Sequence, residues 1–251
     1  MRIYLIALCF ILFACQSNTY KVTEIDTKQV IIDSTYNKSN EIEAFVKPYR
    51  KKINNEMNKA LAYSPKAMFK SEAKLNTSIG NLMADAVLEL GNPILSQREN
   101  LKIDAVLLNY GGIRGGINKG EVTTRTAYNI MPFENEIVVA KLDSLRFKQL
   151  ITYLVEAKRA HPIAGLNLTL QANGQLQSVE VNGKPLNQAF YYVATSDYLV
   201  KGGDHMVFFT KADTVYNLNY KLRNLLIDYF EQQDTLRTKV DSRFTQLNTN
   251  L

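Results

Sequence analysis

The chain has 251 residues, of which 46% are hydrophobic and 22% charged, a balance typical of a globular protein with one or two domains. Its formal net charge of +6 favours anionic ligands or anionic surfaces. The basic residues are dispersed, and the densest run, "YRKK" at 49–52, falls in a predicted helix. A solvated helix face is a better interpretation of that run than a nucleic-acid patch, so we expect no nucleic-acid partner.

The first residues, 1–14, predict a signal peptide, because Arg2 precedes an apolar run shorter than the roughly 20 residues of a membrane-spanning helix. The run ends in "LFAC", which resembles the lipobox of bacterial lipoproteins. We expect Cys15 to carry a lipid anchor and residues 15–24 to form a tether. The protein would then be a membrane-anchored lipoprotein of the cell envelope, facing the periplasm or the cell surface. An N-terminal anchor helix with an incidental cysteine is the alternative.

Hydrophobic periodicity and turn residues predict the remaining elements. The first half contains a strand over 28–33, a helix over 39–62 with a kink or late start at Pro48, a helix over 77–90 stopped by Gly91 and Pro93, and a buried strand over 103–109. A strand over 135–143 and a helix over 144–158 follow. The last part contains hairpin strands over 166–186 with turns at Asn173-Gly174 and Asn182-Gly183, a strand over 190–200 and a helix over roughly 217–231. This irregular alternation predicts an α+β fold of mixed sheets and packed helices. No repeat or linker divides residues 25–245, which we expect to form one domain.

The sequence lacks the residues of a self-contained hydrolase. Its two histidines, His161 and His205, do not stand at metal-ligand spacing from other ligands, and there is no G-x-S-x-G elbow. The second cysteine, Cys9, lies within the predicted signal peptide, so the mature domain would have no thiol. We therefore expect no metal, no cofactor and no catalytic residue in this chain.

One pattern, a strand end followed by glycine or proline and a polar or aromatic residue, occurs three times. It contributes six candidate residues: Asn109, Arg114, Phe133, Asn135, Tyr198 and Asp204. Consecutive glycines let backbone N–H groups approach a ligand closely, and a guanidinium suits phosphate or carboxylate. Taken singly, each stretch is also compatible with an ordinary turn, a core aromatic or a backbone-bonded polar side chain.

Four motifs in a set order resemble the C-terminal domain of the 5'-nucleotidase and UDP-sugar hydrolase family. They are "GNLMADA" (80–86), "NYGGIR" (109–114), "MPFEN" (131–135) and "YYVATSDYLVKGGD" (191–204), within a match of about 40–230. In that family this domain holds the nucleoside and part of the phosphate chain. A separate N-terminal metallophosphatase domain carries two metals and the attacking water.

The resemblance implies a role for each candidate residue. Asn109 and Arg114 would bind nucleotide groups, with Arg114 on phosphate or ribose. Phe133 and Tyr198 would form the two faces of a clamp around the base, a contact that tolerates different bases. Asn135 would bond the base edge.

Further roles implied by the resemblance concern the sugar and the pocket wall. Asp204 would bond the ribose hydroxyls, and Gly165 would line the same pocket. Lys74 is the nearest basic residue to an arginine that the family places before its "GNL" helix. The sequence departs from the family pattern at Tyr198, where phenylalanine is common, at Tyr110, where glycine is common, and at His205-Met206, where glycine and an aromatic residue are typical.

The catalytic half of the family is missing, since the chain has no Asp-x-His, Asn-His-Glu or Gly-His-x-His segment. We therefore expect this chain to bind a nucleotide or nucleotide sugar while a separately encoded metallophosphatase hydrolyses it. Divalent metals would belong to that partner alone. The alternatives are a nucleotide-binding surface lipoprotein without an enzymatic partner, and a descendant that keeps the fold but has lost the ligand.

Overall fold

The computed structural model describes residues 20–37 and 39–248. The predicted signal peptide, Cys15 and the first five residues of the predicted tether lie outside the described residues. Two compact units divide the chain, one ending at Lys47 and the other beginning at Pro48. None of the helices in the described segments is long and apolar enough to cross a membrane.

The predicted strand over 28–33 is wrong. This stretch has no strand structure, and its apolar residues Val30, Ile31 and Ile32 are 58%, 74% and 87% exposed. The β-branched composition favours a strand, but no strand of the described chain pairs with it, and a strand needs a partner for its backbone groups.

Six α-helices and eleven strands occur in the described residues. The helices are α1 (Asn40–Met57), α2 (Ser78–Glu99), α3 (Thr124–Ile130), α4 (Ser144–Ala157), α5 (Asp197–Val200) and α6 (Leu222–Gln232). The strands are β1 (Ala60–Ser64), β2 (Ala105–Leu107), β3 (Gly120–Thr123), β4 (Glu136–Asp143), β5 (Ile163–Ala164), β6 (Leu166–Leu170), β7 (Leu176–Val181), β8 (Lys184–Pro185), β9 (Phe190–Ser196), β10 (Thr214–Lys221) and β11 (Phe244–Gln246). The fold is α+β, as predicted.

The central sheet has five strands in the order β10-β4-β9-β2-β5. β4 is antiparallel to both β10 and β9, β9 is parallel to β2, and β2 is antiparallel to β5. A second sheet has the order β11-β6-β7-β8, and β1 pairs with β3 in a two-stranded sheet. The mixed directions bring three strand ends to one edge of the central sheet.

The central sheet separates two apolar cores, because alternate residues of a strand face opposite sides. In β2, Val106 faces a core built with α2 and α6, whereas Ala105 and Leu107 face a core built with α4 and β6. Strands buried on both faces read as continuous apolar runs, which is why this segment was predicted as a buried strand.

Two helix boundaries differ from the prediction. The helix predicted over 39–62 runs through Pro48 and ends at Met57, since residues 60–64 pair with β3 as a strand. The helix predicted to stop at Gly91 continues through Pro93 to Glu99. A Cβ at position 91 would lie 3.3 Å from Leu218, so this glycine serves close packing and not helix termination.

Two later boundaries differ as well. The strand predicted over 190–200 ends at Ser196, and 197–200 form α5. The last helix begins only at Leu222, because residues 214–221 form β10, an outermost strand of the central sheet that pairs with β4. Two predictions are confirmed within one residue: the strand over 135–143 and the helix over 144–158. The hairpin region over 166–186 is confirmed as the antiparallel strands β6, β7 and β8, which are joined at the Asn-Gly turns.

Candidate ligand-binding site

Three strand ends meet at one edge of the central sheet, and each carries candidate residues. β2 and β9 are parallel, so their carboxyl ends lie at the same edge, followed by Asn109 and Tyr198. β4 is antiparallel to β9, so its amino end reaches that edge too. The segment before β4 carries Phe133 and Asn135. The sheet topology therefore explains why motifs far apart in sequence converge.

Six of the eight predicted substrate-binding residues line one cavity of about 300 Å³, which we call the sheet-edge cavity. They are Asn109, Arg114, Phe133, Asn135, Tyr198 and Asp204. Gly111 and Gly112 complete the lining. Phe133 and Tyr198 are 41% and 43% exposed, so both rings are accessible to a planar ligand.

The carboxylate of Asp204 joins two sides of the sheet-edge cavity. Its Oδ2 accepts a hydrogen bond from Asn109 Nδ2 at 2.7 Å, and its Oδ1 accepts one from the Tyr198 hydroxyl at 3.0 Å. The backbone carbonyl of Asp204 accepts a third, from the Tyr153 hydroxyl at 3.0 Å. The hydroxyl that distinguishes Tyr198 from phenylalanine thus orients the ring at the cavity wall.

Glycines permit the close contacts behind these side chains. A Cβ at Gly112 would lie 2.7 Å from Asn109 Oδ1, and a Cβ at Gly203 would lie 2.4 Å from the Tyr198 ring. Real Cβ atoms do not approach other atoms so closely, so a larger residue at either position would displace the neighbouring side chain. Because Gly112 and Gly203 have no side chain, Asn109 and Tyr198 can pack against their backbone at the cavity wall.

Arg114 is exposed at the cavity, with its guanidinium carbon 5.8 Å from the centroid of the Phe133 ring. Its backbone N–H donates to Ile130 O at 2.9 Å, which holds the glycine-rich turn against the end of α3. No carboxylate of the described residues forms an ion pair with its side chain. The guanidinium can therefore donate to an incoming anion.

A second arginine, outside all four motifs, holds the segment that carries Phe133. Arg223, in α6, has a side chain only 6% exposed. Its Nη1 donates to the carbonyls of Pro132 and Phe133 at 3.2 and 3.3 Å, and its Nη2 donates to Glu134. The backbone of the Phe133 segment is therefore tied to a helix that does not line the cavity.

The same cluster fixes the charge of Glu134. Hydrogen bonds from Arg223 and from Lys221 hold the pKa of Glu134 down at about 2. The Arg223 guanidinium also lies over the Tyr128 ring at 4.2 Å. Arg223 lies on the buried face of α6, three residues before Leu226, and a charge at such a position is the sequence signal that could have revealed it.

A buried histidine supports the turn after β2. His161 is 4% exposed, and its Nδ1 accepts a hydrogen bond from the Tyr110 backbone N–H at 3.2 Å. Burial lowers the pKa of His161 to about 4, so its ring is neutral near pH 7 and can act as an acceptor. Across residues 20–37 and 39–248, no three His, Cys, Asp or Glu side chains are grouped to hold a metal ion.

The other two predicted residues, Gly165 and Lys74, lie away from the sheet-edge cavity. Because β5 is antiparallel to β2, Gly165 lies at the amino end of β2, against the Asp104 carbonyl and opposite the edge that carries the cavity. It lines a different cavity, beside Arg243. Lys74 lines a hollow next to Tyr110.

The family described as "5'-nucleotidase, C-terminal domain" matches residues 58–211. A 5'-nucleotidase of Vibrio vulnificus (strain CMCP6) is 26% identical over 235 residues, which are 87% of this chain and 39% of the relative. The trifunctional nucleotide phosphoesterase protein YfkN of Bacillus subtilis (strain 168) is 29% identical over 185 residues, 66% of this chain and 12% of that protein.

The fold is similar to that of the 5'-nucleotidase precursor of Thermus thermophilus, with a TM-score of 0.68 and 22% identity over 82% of this chain and 43% of that chain. The family match covers all three strand ends of the sheet-edge cavity. The chain belongs to the 5'-nucleotidase C-terminal domain family. The matched regions make up 39% of the Vibrio vulnificus 5'-nucleotidase and 43% of the Thermus thermophilus chain. This chain therefore spans about two fifths of the length of these relatives.

Proposed function

We propose that this chain is the nucleotide-recognition part of a 5'-nucleotidase-type phosphohydrolase. Phe133 and Tyr198 would hold the base between their rings, and Asn135 would bond its edge. Asp204 would meet the ribose hydroxyls, and Asn109 with Arg114 would bind further nucleotide groups, the guanidinium reaching phosphate or ribose. The observation that carries the proposal is the convergence of these six side chains on one cavity.

The chemical character of the sheet-edge cavity supports this assignment. Its two accessible rings suit the flat faces of an aromatic base, and its carboxylate suits vicinal hydroxyl donors. Arg114 adds a planar cation that no described carboxylate neutralises. A nucleotide combines all three features: a ring, a diol and an anion.

We further propose that bond cleavage belongs to a separately encoded metallophosphatase that supplies the divalent metals and the attacking water. The matched 5'-nucleotidases are more than twice as long as the part this chain matches, which leaves room in them for a catalytic portion. This chain would contribute to the rate by positioning the phosphate, through the charge of Arg114.

The predictions for the N-terminal region and the domain limits are retained as proposals. They comprise a signal peptide at 1–14, a lipid on Cys15, a tether at 15–24 and one domain over 25–245. Together they would anchor the protein to a membrane of the cell envelope, where extracytoplasmic nucleotides would be its ligands. Mass spectrometry of the mature protein would test the lipid: an unmodified Cys15 would contradict it.

The binding roles can be separated by calorimetric titration of adenosine and adenosine monophosphate into the purified chain. Phe133→Ala should weaken both ligands alike, by about 1–3 kcal/mol, the range of base stacking on an aromatic side chain. Arg114→Ala should weaken the monophosphate by about 1.5–3 kcal/mol, as expected for a charge-assisted hydrogen bond, and should weaken adenosine less.

Two matched variants control for general effects. Arg125→Ala removes an arginine from the neighbouring helix α3, where its guanidinium donates to Asn54 and Asn58 away from the cavity. Phe190→Ala removes a similarly exposed ring from β9. Neither should change binding. Equal effects of Phe133→Ala and Arg114→Ala on the two ligands would overturn the division of roles, and absence of any binding would overturn the function itself.

The partner is tested by phosphate release. A metallophosphatase encoded beside this chain should hydrolyse nucleotides faster when the two are co-expressed than when it is expressed alone. A phosphatase that is fully active without this chain would leave the chain as a binding lipoprotein without an enzymatic partner.

A further inference from the structure

Around Asp204, the wall of the sheet-edge cavity presents hydrogen-bond acceptors. Asp204 Oδ2 accepts from Asn109 Nδ2 at 2.7 Å, and Asp204 Oδ1 accepts from the Tyr198 hydroxyl at 3.0 Å. Each carboxylate oxygen can accept two hydrogen bonds, so both oxygens of Asp204 keep one position for a ligand. No cation of the described residues forms an ion pair with Asp204, so its charge is left for the donors of a ligand.

The Tyr198 hydroxyl belongs to the same set of acceptors. A phenol has one proton, and Tyr198 donates that proton to Asp204. Towards a ligand the phenol oxygen is therefore an acceptor only, next to the carboxylate that orients it. A ligand that covers this part of the wall excludes water from two neighbouring acceptor groups, and it has to supply a donor to each of them.

The backbone of the turn fixes the position of both groups. A Cβ at Gly203 would lie 2.5 Å from the ring carbon of Tyr198 that carries the hydroxyl, so the ring lies directly against the Gly203 backbone. Asp204 follows in the left-handed conformation, with φ at 50°, which is unfavourable for a residue with a side chain. The Tyr153 hydroxyl donates to its carbonyl at 3.0 Å. The two acceptor groups are therefore held side by side before a ligand binds.

We propose that the Tyr198 hydroxyl makes the sheet-edge cavity selective for ribonucleotides over deoxyribonucleotides. The inference rests on the proposed function, in which Asp204 meets the ribose. Asp204 accepts from one of the two vicinal hydroxyls and Tyr198 accepts from the other, so each acceptor has its own donor. A deoxyribose has one hydroxyl fewer, and one covered acceptor is then left unpaired. A site that bonds a substrate hydroxyl rejects the analogue without it for this reason.

The test compares three nucleosides by calorimetric titration into the purified full chain: adenosine, 2'-deoxyadenosine and 3'-deoxyadenosine. The wild type should bind adenosine at least tenfold more tightly than either deoxynucleoside. Tyr198→Phe keeps the aromatic face, and it should fold normally because phenylalanine is common at this position in the resembled family. In this variant the preference over one of the two deoxynucleosides should fall below threefold. The preference over the other, which depends on Asp204, should persist.

Tyr153→Phe is the matched control, because it also removes a tyrosine hydroxyl that donates to Asp204, but to the backbone carbonyl. It should leave both preferences within twofold of the wild type, whatever its effect on overall affinity. A control that loses the same preference as Tyr198→Phe would contradict a direct contact between the Tyr198 hydroxyl and the sugar.

Two further results would overturn the proposal. One is an equal set of preferences in the wild type and Tyr198→Phe, including the absence of any preference in both. The other is the loss of both preferences together in Tyr198→Phe, since the hydroxyl would then act only by holding Asp204. Adenosine still binds the wild type in either case. Failure of the proposed function is different, because the wild type would then bind none of the three nucleosides, and the two proposals would fall together.

Discussion

At the scale of single residues, the cavity wall depends on contacts that only small or precisely placed groups allow. Asp204 binds Asn109 and Tyr198 at once, so the ends of two different strands share one carboxylate. Gly203, the residue before it, leaves the space that the Tyr198 ring occupies. The orientation of this ring is therefore fixed from two sides, by a hydrogen bond and by the absence of a side chain.

Replacing Gly203 by alanine should weaken nucleoside binding about tenfold, because the new methyl group would displace the Tyr198 ring that lies 2.4 Å from its ideal position. Such a loss is within the range of about 1–3 kcal/mol for one stacking contact. The measurement is an adenosine titration of Gly203→Ala, Tyr198→Ala and the double variant. With the ring already removed, Gly203→Ala should add almost nothing; fully additive losses would contradict a shared mechanism.

At the scale of elements, α6 supports the Phe133 segment through one buried side chain. Arg223 donates to two backbone carbonyls and to Glu134, so the segment before β4 is fixed even though it forms no helix or strand itself. Because Phe133 is one of those two carbonyl residues, the position of its ring depends on a helix that does not line the cavity. Arg223 acts as a positioning residue in this arrangement.

Arg223→Gln should lower the free energy of unfolding by about 1.5–3 kcal/mol, since it removes the charged donor from the part-buried carbonyl contacts of Pro132 and Phe133. It should also weaken adenosine several-fold, and Arg223→Lys should recover part of each loss. Lys221→Gln breaks only the exposed half of the cluster and should change stability by less than about 1 kcal/mol. Thermal melting and adenosine titration measure the two effects. Lower stability with unchanged adenosine affinity would contradict a positioning role.

Elements specified by local sequence could be predicted, whereas those specified by distant partners could not. The periodic apolar residues of α4 and the Asn-Gly turns of the hairpins carry their structure within a few residues. "ALAYS" (60–64) favours a helix by composition, yet it becomes β1 by pairing with β3, about sixty residues later. The same holds for the site. Motifs at strand ends predicted the six side chains that line the cavity, whereas Arg223 contacts the Phe133 segment only because α6 packs against it in the folded protein.

At the scale of the whole molecule, the folded unit extends past the family match that ends at 211. β10 is an outermost strand of the central sheet, and α6 buries apolar residues in the core that also contains α2. Beyond α6, Arg243 donates to the Asp85 carboxylate of α2 from Nη1 and Nη2, at 2.7 and 3.0 Å, and its Nη1 also donates to the Ile163 carbonyl. The C-terminal segment is thus integrated with the sheet that forms the sheet-edge cavity.

His161 links the stability of this whole unit to pH. Its pKa is lowered by burial from an ordinary value of 6.5 to about 4, so between these values the unfolded chain binds a proton that the folded chain excludes. The stabilisation is fully present above pH 6.5 and is lost as the pH falls to about 4. The free energy of unfolding lost in this range is about 3 kcal/mol, because each unit of difference between the folded and unfolded pKa corresponds to about 1.36 kcal/mol.

The free energy of unfolding, measured by denaturant titration from pH 7 to pH 4, should therefore decrease on acidification. In His161→Gln, whose amide oxygen can still accept from the Tyr110 N–H but does not titrate, this part of the decrease should disappear. Glu134 contributes with the same sign at lower pH, since its depressed pKa supplies stability that is lost between about 4.5 and about 2. An identical slope between pH 6.5 and pH 4.5 in wild type and His161→Gln would show that the imidazole is not kept neutral by burial.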